Sequence, residues 1–204
     1  MTTTTDNALS RFVTKARDLF ARESDPEARF AALAPIFEEL LTDRRVIEAS
    51  KSWPLCVFAD GRAENLLFYE DPDYGFVVNA LVTAAAGYEK GLRGRIHDHG
   101  DIYTLYGILD GRQIIERYER IDDGSQPDRA ELRETANSQS GPGEIDLVRP
   151  FEIHNEASLG ERAVAVIVRS ARNDVVMGGR YELGTNHYFE GFGPRQTRME
   201  MFPV

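Results

Sequence analysis

Apolar residues recur at helical spacing up to Trp53-Pro54 and in short, turn-bounded runs beyond it, so the chain reads as a helical front followed by strands. Behind a polar tail, Met1 to Asp6, the residues Leu9, Phe12, Val13, Ala16, Leu19 and Phe20 form one face of a helix from about Ala8 to Phe20. Ser24-Asp25-Pro26-Glu27 is a helix start, a capping side chain followed by a proline whose missing N–H costs nothing there. This second helix buries Phe30, Ala31, Leu33 and Ala34, and Pro35 is expected to kink or restart it before Ile36, Phe37, Leu40 and Leu41 resume the face. A third piece, Arg44 to Ser50, ends ahead of Trp53-Pro54.

After Pro54 the expected strands are Leu55–Phe58, Asn65–Tyr69, Gly75–Ala85, the stretch Ile96–Ile108, Gln113–Arg120, Glu144–Val148, Phe151–His154 and Ala163–Arg169. Asp110-Gly111 reads as a tight turn between two of them, because both residues tolerate positive φ. Asp122 to Gly143 has the composition of an exposed loop, and the charged run Glu116 to Arg120 that of a solvated face. Short strands without alternating helices predict an all-β barrel or sandwich. The organisation expected is a helical extension over 1–54 packed on a barrel over 55–172, with a tail over 173–204 completing or covering it.

Composition narrows the function. The net charge of −10 argues against nucleic acid or an anionic membrane as partner, since both ask for a basic surface. The single cysteine, Cys56, excludes an intrachain disulfide and fits a reducing cytoplasm, the expected location; in packing terms it reads as a small core residue. Homodimer formation through exposed sheet edges suits such a barrel.

Of the four histidines, His97 and His99 stand two apart, where strand geometry puts both side chains on one face. His154 follows in Pro150-Phe151-Glu152-Ile153-His154, and three imidazoles can cap three corners of a metal's coordination sphere, leaving the rest open. The order resembles the cupin family. Gly91, five residues, His97-x-His99, then Thr104 where the family has glutamate, then six residues to Gly111 follow the first cupin motif in every spacing. Gly143, Pro150 and His154 resemble the second, with the Pro-to-His gap one residue short and Glu152 in place of glycine.

The resemblance implies a cupin double-stranded β-helix, a jelly-roll barrel, here behind an N-terminal α-helical layer. Without the motif-one glutamate, and with helices ahead of the barrel, the chain looks like the cysteine dioxygenase-like enzymes. That implies His97, His99 and His154 around Fe(II), with Zn, Ni or Co accepted under other conditions, and O2 as co-substrate. Three neutral imidazoles leave the ion its full charge, favouring a small thiolate, enolate or carboxylate as substrate. The cysteine-specific apparatus is absent: Ala165, Ile167 and Arg169 stand where that group has Ser-x-His-x-Tyr, Glu64 stands at the carboxylate-binding arginine, and Thr104 at the cross-linking cysteine.

Further candidates are Arg169, facing the interior to pair with an anionic substrate or else ion-paired at a strand end, and Tyr106 (with Tyr103 and Thr104) as a pocket or packing residue. Asp98 and Asp101 are candidates for orienting an imidazole, against turn or surface roles. His187 reads either as a lid or acid/base residue or as a structural histidine. Two other functions fit the same residues: an isomerase or lyase using Zn, Ni or Mn as Lewis acid without O2, and a non-catalytic cupin that binds a small molecule.

Overall fold

The computed structural model of the chain describes residues 6–57, 62–84 and 96–202. Helix α1 (Ala8–Arg22) is opened by a capping box between Asn7 and Ser10, and α2 (Pro26–Leu41) by Asp25, whose carboxylate accepts the Ala28 N–H at 2.8 Å. Asp43 caps α3 (Arg44–Ser50). Pro35 does not restart α2, which runs through it as one helix. An interior proline costs about 3 kcal/mol, and Leu33, Phe37 and Leu40, each almost wholly buried, offset that at about 1.5–3 kcal/mol apiece.

Ten strands follow among the described residues: β1 (Glu64–Glu70), β2 (Val77–Ala84), β3 (Ile96–His97), β4 (Thr104–Arg120), β5 (Leu132–Ser140), β6 (Ile145–Val148), β7 (Ile153–Arg169), β8 (Met177–Glu182), β9 (His187–Phe192) and β10 (Arg195–Arg198). They form one curled sheet in the order β10-β1-β2-β7-β3-β8-β9, with β4 pairing β5, β6 and β7. The β1–β10 pair is parallel and the others are antiparallel.

Several expectations change in the sheet. Asp110-Gly111 is not a hairpin turn: β4 runs straight through it, and the pair forms an irregularity where the register against β7 shifts. The positive φ is real, at 76° for Gly111, and a Cβ there would overlap the Arg162 carbonyl. The two pieces expected at Phe151–His154 and Ala163–Arg169 are one strand of 17 residues, β7. The polar excursion is exposed but holds β5, paired to β4 from Gln113 to Arg120; an edge strand buries too little to show apolar alternation. Glu116 and Tyr118 lie inside, where the Glu116 carboxylate accepts from the Tyr118 hydroxyl at 2.8 Å and the Asn155 amide at 2.9 Å. Pro54–Val57 forms no strand, although the Cys56 N–H donates to Val82. Phe58 and Gly91, the residue that begins the first motif, lie outside the described residues. Among the described residues no helix is long and apolar enough to cross a membrane.

The sheet has two working faces. Val78, Ala80 and Val82 of β2, Leu105 and Leu109 of β4, and Val164, Val166 and Val168 of β7 join the helical side chains in the main core. Their alternate neighbours Leu81, Tyr106, Ile108, Ala165 and Ile167 form a second cluster on the opposite face. Gly107 sets the distance between layers, since a Cβ there would overlap Leu41 and Phe37 of α2. The helical side chains pack on one face, and the histidine cluster lies on the other.

Candidate metal centre

Three segments bring the histidines together. His97 on β3 pairs directly with His154 on β7. His99 sits two residues on, where Gly100 (φ 61°) turns the chain and accepts the Phe151 N–H at 2.9 Å, tying this turn to the approach to β7. Ring centroids lie 4.6–5.0 Å apart, and the His97 and His99 Nε2 atoms are 3.2 Å apart.

A fourth group joins them. Glu156 follows His154 by two residues on the same face of β7, with Oε1 3.2 Å from His154 Nε2 and Oε2 4.0 Å from His97 Nε2. One ligand atom from each of His97, His99, His154 and Glu156 lies within 4.8 Å of the others, so the group could hold a metal ion. The three-histidine site of the sequence reading thus gains a carboxylate. It comes from β7, not from the motif-one position, where Thr104 stands. The His-x-Glu spacing was the available signal, lost by ending the strand at His154.

Hydrogen bonds fix the rings. The His154 Nδ1–H donates to the Glu152 carbonyl at 2.8 Å, which directs the Nε2 lone pair inward, and that Nε2 is buried without a hydrogen bond. Glu152 is held in turn by Arg117, 2.5 Å from its carboxylate. Thr104 Oγ1 hydrogen-bonds His99 Nδ1 at 3.2 Å, so it orients the ring. Three imidazoles and one carboxylate, each with a ligand atom turned to the others, are a donor set that a mononuclear ion of the imidazole-preferring kind fits.

The electrostatics follow from crowding. Burial, then His154 and His97, hold the His99 pKa well below the usual imidazole range. Burial acts the same way on His154, yet the neighbouring Glu156 carboxylate raises it overall. For Glu156 burial alone would favour the acid, but His154, His97 and Arg169 bring its pKa down to about 2.

A cavity of about 290 Å³ opens on the group, lined by His97, His99 and Glu156 together with Tyr106, Ile167, Leu81, Arg62, Arg169 and Arg180, and rimmed by Phe192, Gly193 and Pro194. Arg169 faces inward, 3% exposed, and burial lowers its pKa to about 10. Tyr106 also lines the cavity; burial pushes its pKa up, so the phenol stays protonated, and among the described residues its oxygen has no hydrogen-bond partner.

Other candidates stand elsewhere. His187 is half exposed on β9, 3.8 Å from Glu182 and beside Phe189, and is not among the residues lining the cavity. The Asp98 carboxylate does not reach an imidazole: it accepts from the Gly100 N–H at 2.7 Å and the Tyr181 hydroxyl at 2.8 Å, holding the turn. Asp101 is exposed. Tyr103 stacks on Phe30 in the core.

No protein-family model matches the chain, and no curated protein matches it. Among solved structures it is similar to a chain from crystal structures of the DMSP lyases RdDddP and RnDddQII (14% identity, 46% of this chain and 37% of that one, TM-score 0.33). It is also similar to the cupin domain of Schizosaccharomyces pombe Cnp3 (9% identity, 60% and 72%, TM-score 0.42). A third is an uncharacterised conserved protein with a double-stranded β-helix domain from Klebsiella pneumoniae (15% identity, 62% and 90%, TM-score 0.39). The chain spans little more than a third of the lyase chain. The mostly-β curled sheet is consistent with a cupin barrel.

Proposed function

We propose that the chain is a metal-dependent oxidoreductase, a mononuclear non-haem Fe(II) dioxygenase of the cysteine dioxygenase-like cupin type, acting on a small anionic thiol or other chelating compound. The observation that carries this reading is the convergence of His97, His99, His154 and Glu156, three of which (His97, His99 and Glu156) line a cavity that arginines also line. Bound Fe(II) would relay electrons from the substrate to dioxygen and supply a Lewis-acid centre for an anionic donor atom.

The chain's own groups do the rest. Glu152 and Thr104 hold two imidazoles with the correct nitrogen inward. Glu156 offsets one positive charge, so the demand for an anionic substrate rests on the cavity's arginines more than on an uncompensated ion. Leu81 and Ile167 give the cavity dry walls, which strengthens charge interactions within it. Tyr106 offers a protonated hydroxyl.

The test is metal analysis followed by O2 uptake after anaerobic Fe(II) loading, on a panel of small thiols and 1,3-dicarbonyls. One equivalent of iron and substrate-dependent uptake, both abolished in His154→Ala, is the expected result. A lyase or isomerase using Zn, Ni or Mn is the second reading, favoured by Glu156, because a carboxylate suits harder ions and can also take a proton from substrate. Turnover without O2 by the Zn or Mn form would establish it.

A further inference from the structure

We infer that the substrate joins its metal-binding head to an apolar body of about the size of a six-membered ring, and that Leu81, Ile167 and the rim residue Phe192 select that body. This deepens the function proposed above: the head rests on that reading, and the apolar wall does not.

The cavity has room for more than a head group. Its volume is about 290 Å³, and an apolar cavity of about 150 Å³ already accepts benzene. His97, His99 and Glu156 supply the part of the lining that would meet a metal-bound head. Leu81, Ile167, Ala63, Phe192 and Pro194 bring carbon to the rest.

The other polar side chains of the lining are committed to the protein. Asn65 Oδ1 accepts from Arg169 Nη1 at 3.3 Å, and its Nδ2 donates to the Glu64 carbonyl at 3.1 Å. The Thr83 hydroxyl pairs with that of Ser158. Arg62 Nε and Nη2 both donate to the Gly193 carbonyl, at 3.1 and 2.6 Å. Arg180 Nη1 donates to the Gly179 carbonyl at 2.8 Å and Nη2 to the Phe192 carbonyl at 3.0 Å. The Tyr106 hydroxyl and Arg169 Nε have almost no accessible surface. A polar body would have to break one of these bonds to gain its own, whereas an apolar body displaces only water. The arginines still give the cavity a positive sign, which serves the anionic head.

Phe192 is held in place at the rim. Arg180 and Arg62 fix the carbonyls of Phe192 and Gly193, and the Gly193 N–H donates to the Asn173 carbonyl at 3.0 Å. Gly193 packs so closely on Asn173 that a Cβ there would overlap its side chain. The Arg62 guanidinium lies 5.7 Å from the Phe192 ring centroid. The backbone around Phe192 is thus pinned while its ring stays half exposed beside the cavity. An aromatic ring fixed at a cavity mouth is a platform for apolar surface on a ligand.

The test separates body from head. On the Zn(II) form, calorimetry compares acetohydroxamate, hexanohydroxamate and benzohydroxamate, which share a metal-binding head and differ in body. At least one of the larger two should bind about tenfold tighter than acetohydroxamate or better, as burial of several carbons implies. Phe192→Ala should cut that gain by about threefold, and Phe192→Leu should restore most of it. Circular dichroism and zinc content show that each variant is folded. On metal-free protein, saturation-transfer NMR compares acetamide with hexanamide and benzamide, and the same preference for the larger body is expected. Equal affinity of the wild type for the three hydroxamates, or a gain that Phe192→Ala leaves whole, overturns the inference. A wild type that binds no zinc, yet prefers hexanamide or benzamide in a way that depends on Phe192, would sink the proposed function and leave the apolar wall standing.

Discussion

Thr104 stands where the resemblance asks for a glutamate, and it holds His99 from behind instead of ligating beside it. Replacing it with valine keeps the volume and deletes the hydroxyl. The expected result is a loss of metal affinity of about tenfold or more, the usual size for removing a group that orients a ligand. Competition of the Zn(II) form against a chromophoric chelator measures it, and an unchanged affinity would mean that the hydrogen bond does not matter. At this scale the three histidines were legible because the spacing His97-x-His99 and a later histidine survive without any knowledge of strand register. Glu156 was not, because its partnership with His154 depends on β7 continuing past the histidine. For Asp98 the structure takes the turn role, one of the two readings the sequence left open: it accepts from Gly100 and from Tyr181, the latter far along the chain.

Elements were legible where burial is one-sided. The helices α1, α2 and α3 each carry a capping side chain and one apolar face, and the structure places them within a residue or two of the pattern. Strands were harder. β5 is polar on both sides because it is an exposed edge, and β7 is buried on both, so neither alternates. Asp110-Gly111 gave the correct backbone conformation and the wrong element, since a positive φ serves a bulge as well as a turn. Gly111→Ala tests that bulge. The new Cβ would need a left-handed backbone, at about 1–2 kcal/mol, and would press on the Arg162 carbonyl as well. Urea unfolding should therefore give a destabilisation of about 2 kcal/mol or more, and one below about 0.5 kcal/mol would mean that β4 can straighten without penalty.

At the scale of the molecule, the helical layer is fastened to the sheet by packing and by polar contacts, among them a clasp at Asp71. The buried Asp71 carboxylate accepts from the Asp73 and Tyr74 N–H groups at 3.0 and 2.9 Å, from the Tyr69 hydroxyl at 2.9 Å and from Arg17 of α1 at 2.7 Å. Burial alone would raise its pKa, but these donors outweigh it and the net direction is down. A carboxyl lowered on folding stabilises the protein above its unfolded pKa, about 3.9, and that contribution disappears as pH falls through the folded value. Asp71→Asn should accordingly cost about 1–3 kcal/mol near neutrality. The gap from wild type should close below pH 4, as read by thermal unfolding across pH 7 to 3. A gap independent of pH would show that the carboxylate charge plays no part.

The alternation along β7 has a consequence for how such a protein can change. Val164, Val166 and Val168 answer to the helices, while Ala165 packs on the opposite face beside Ile167 and Arg169, which line the cavity, and only backbone separates the two sets. Stability and selectivity are thus encoded in interleaved letters of one short word, AVAVIVR. A lineage can rewrite every second letter and acquire a new ligand without renegotiating its fold.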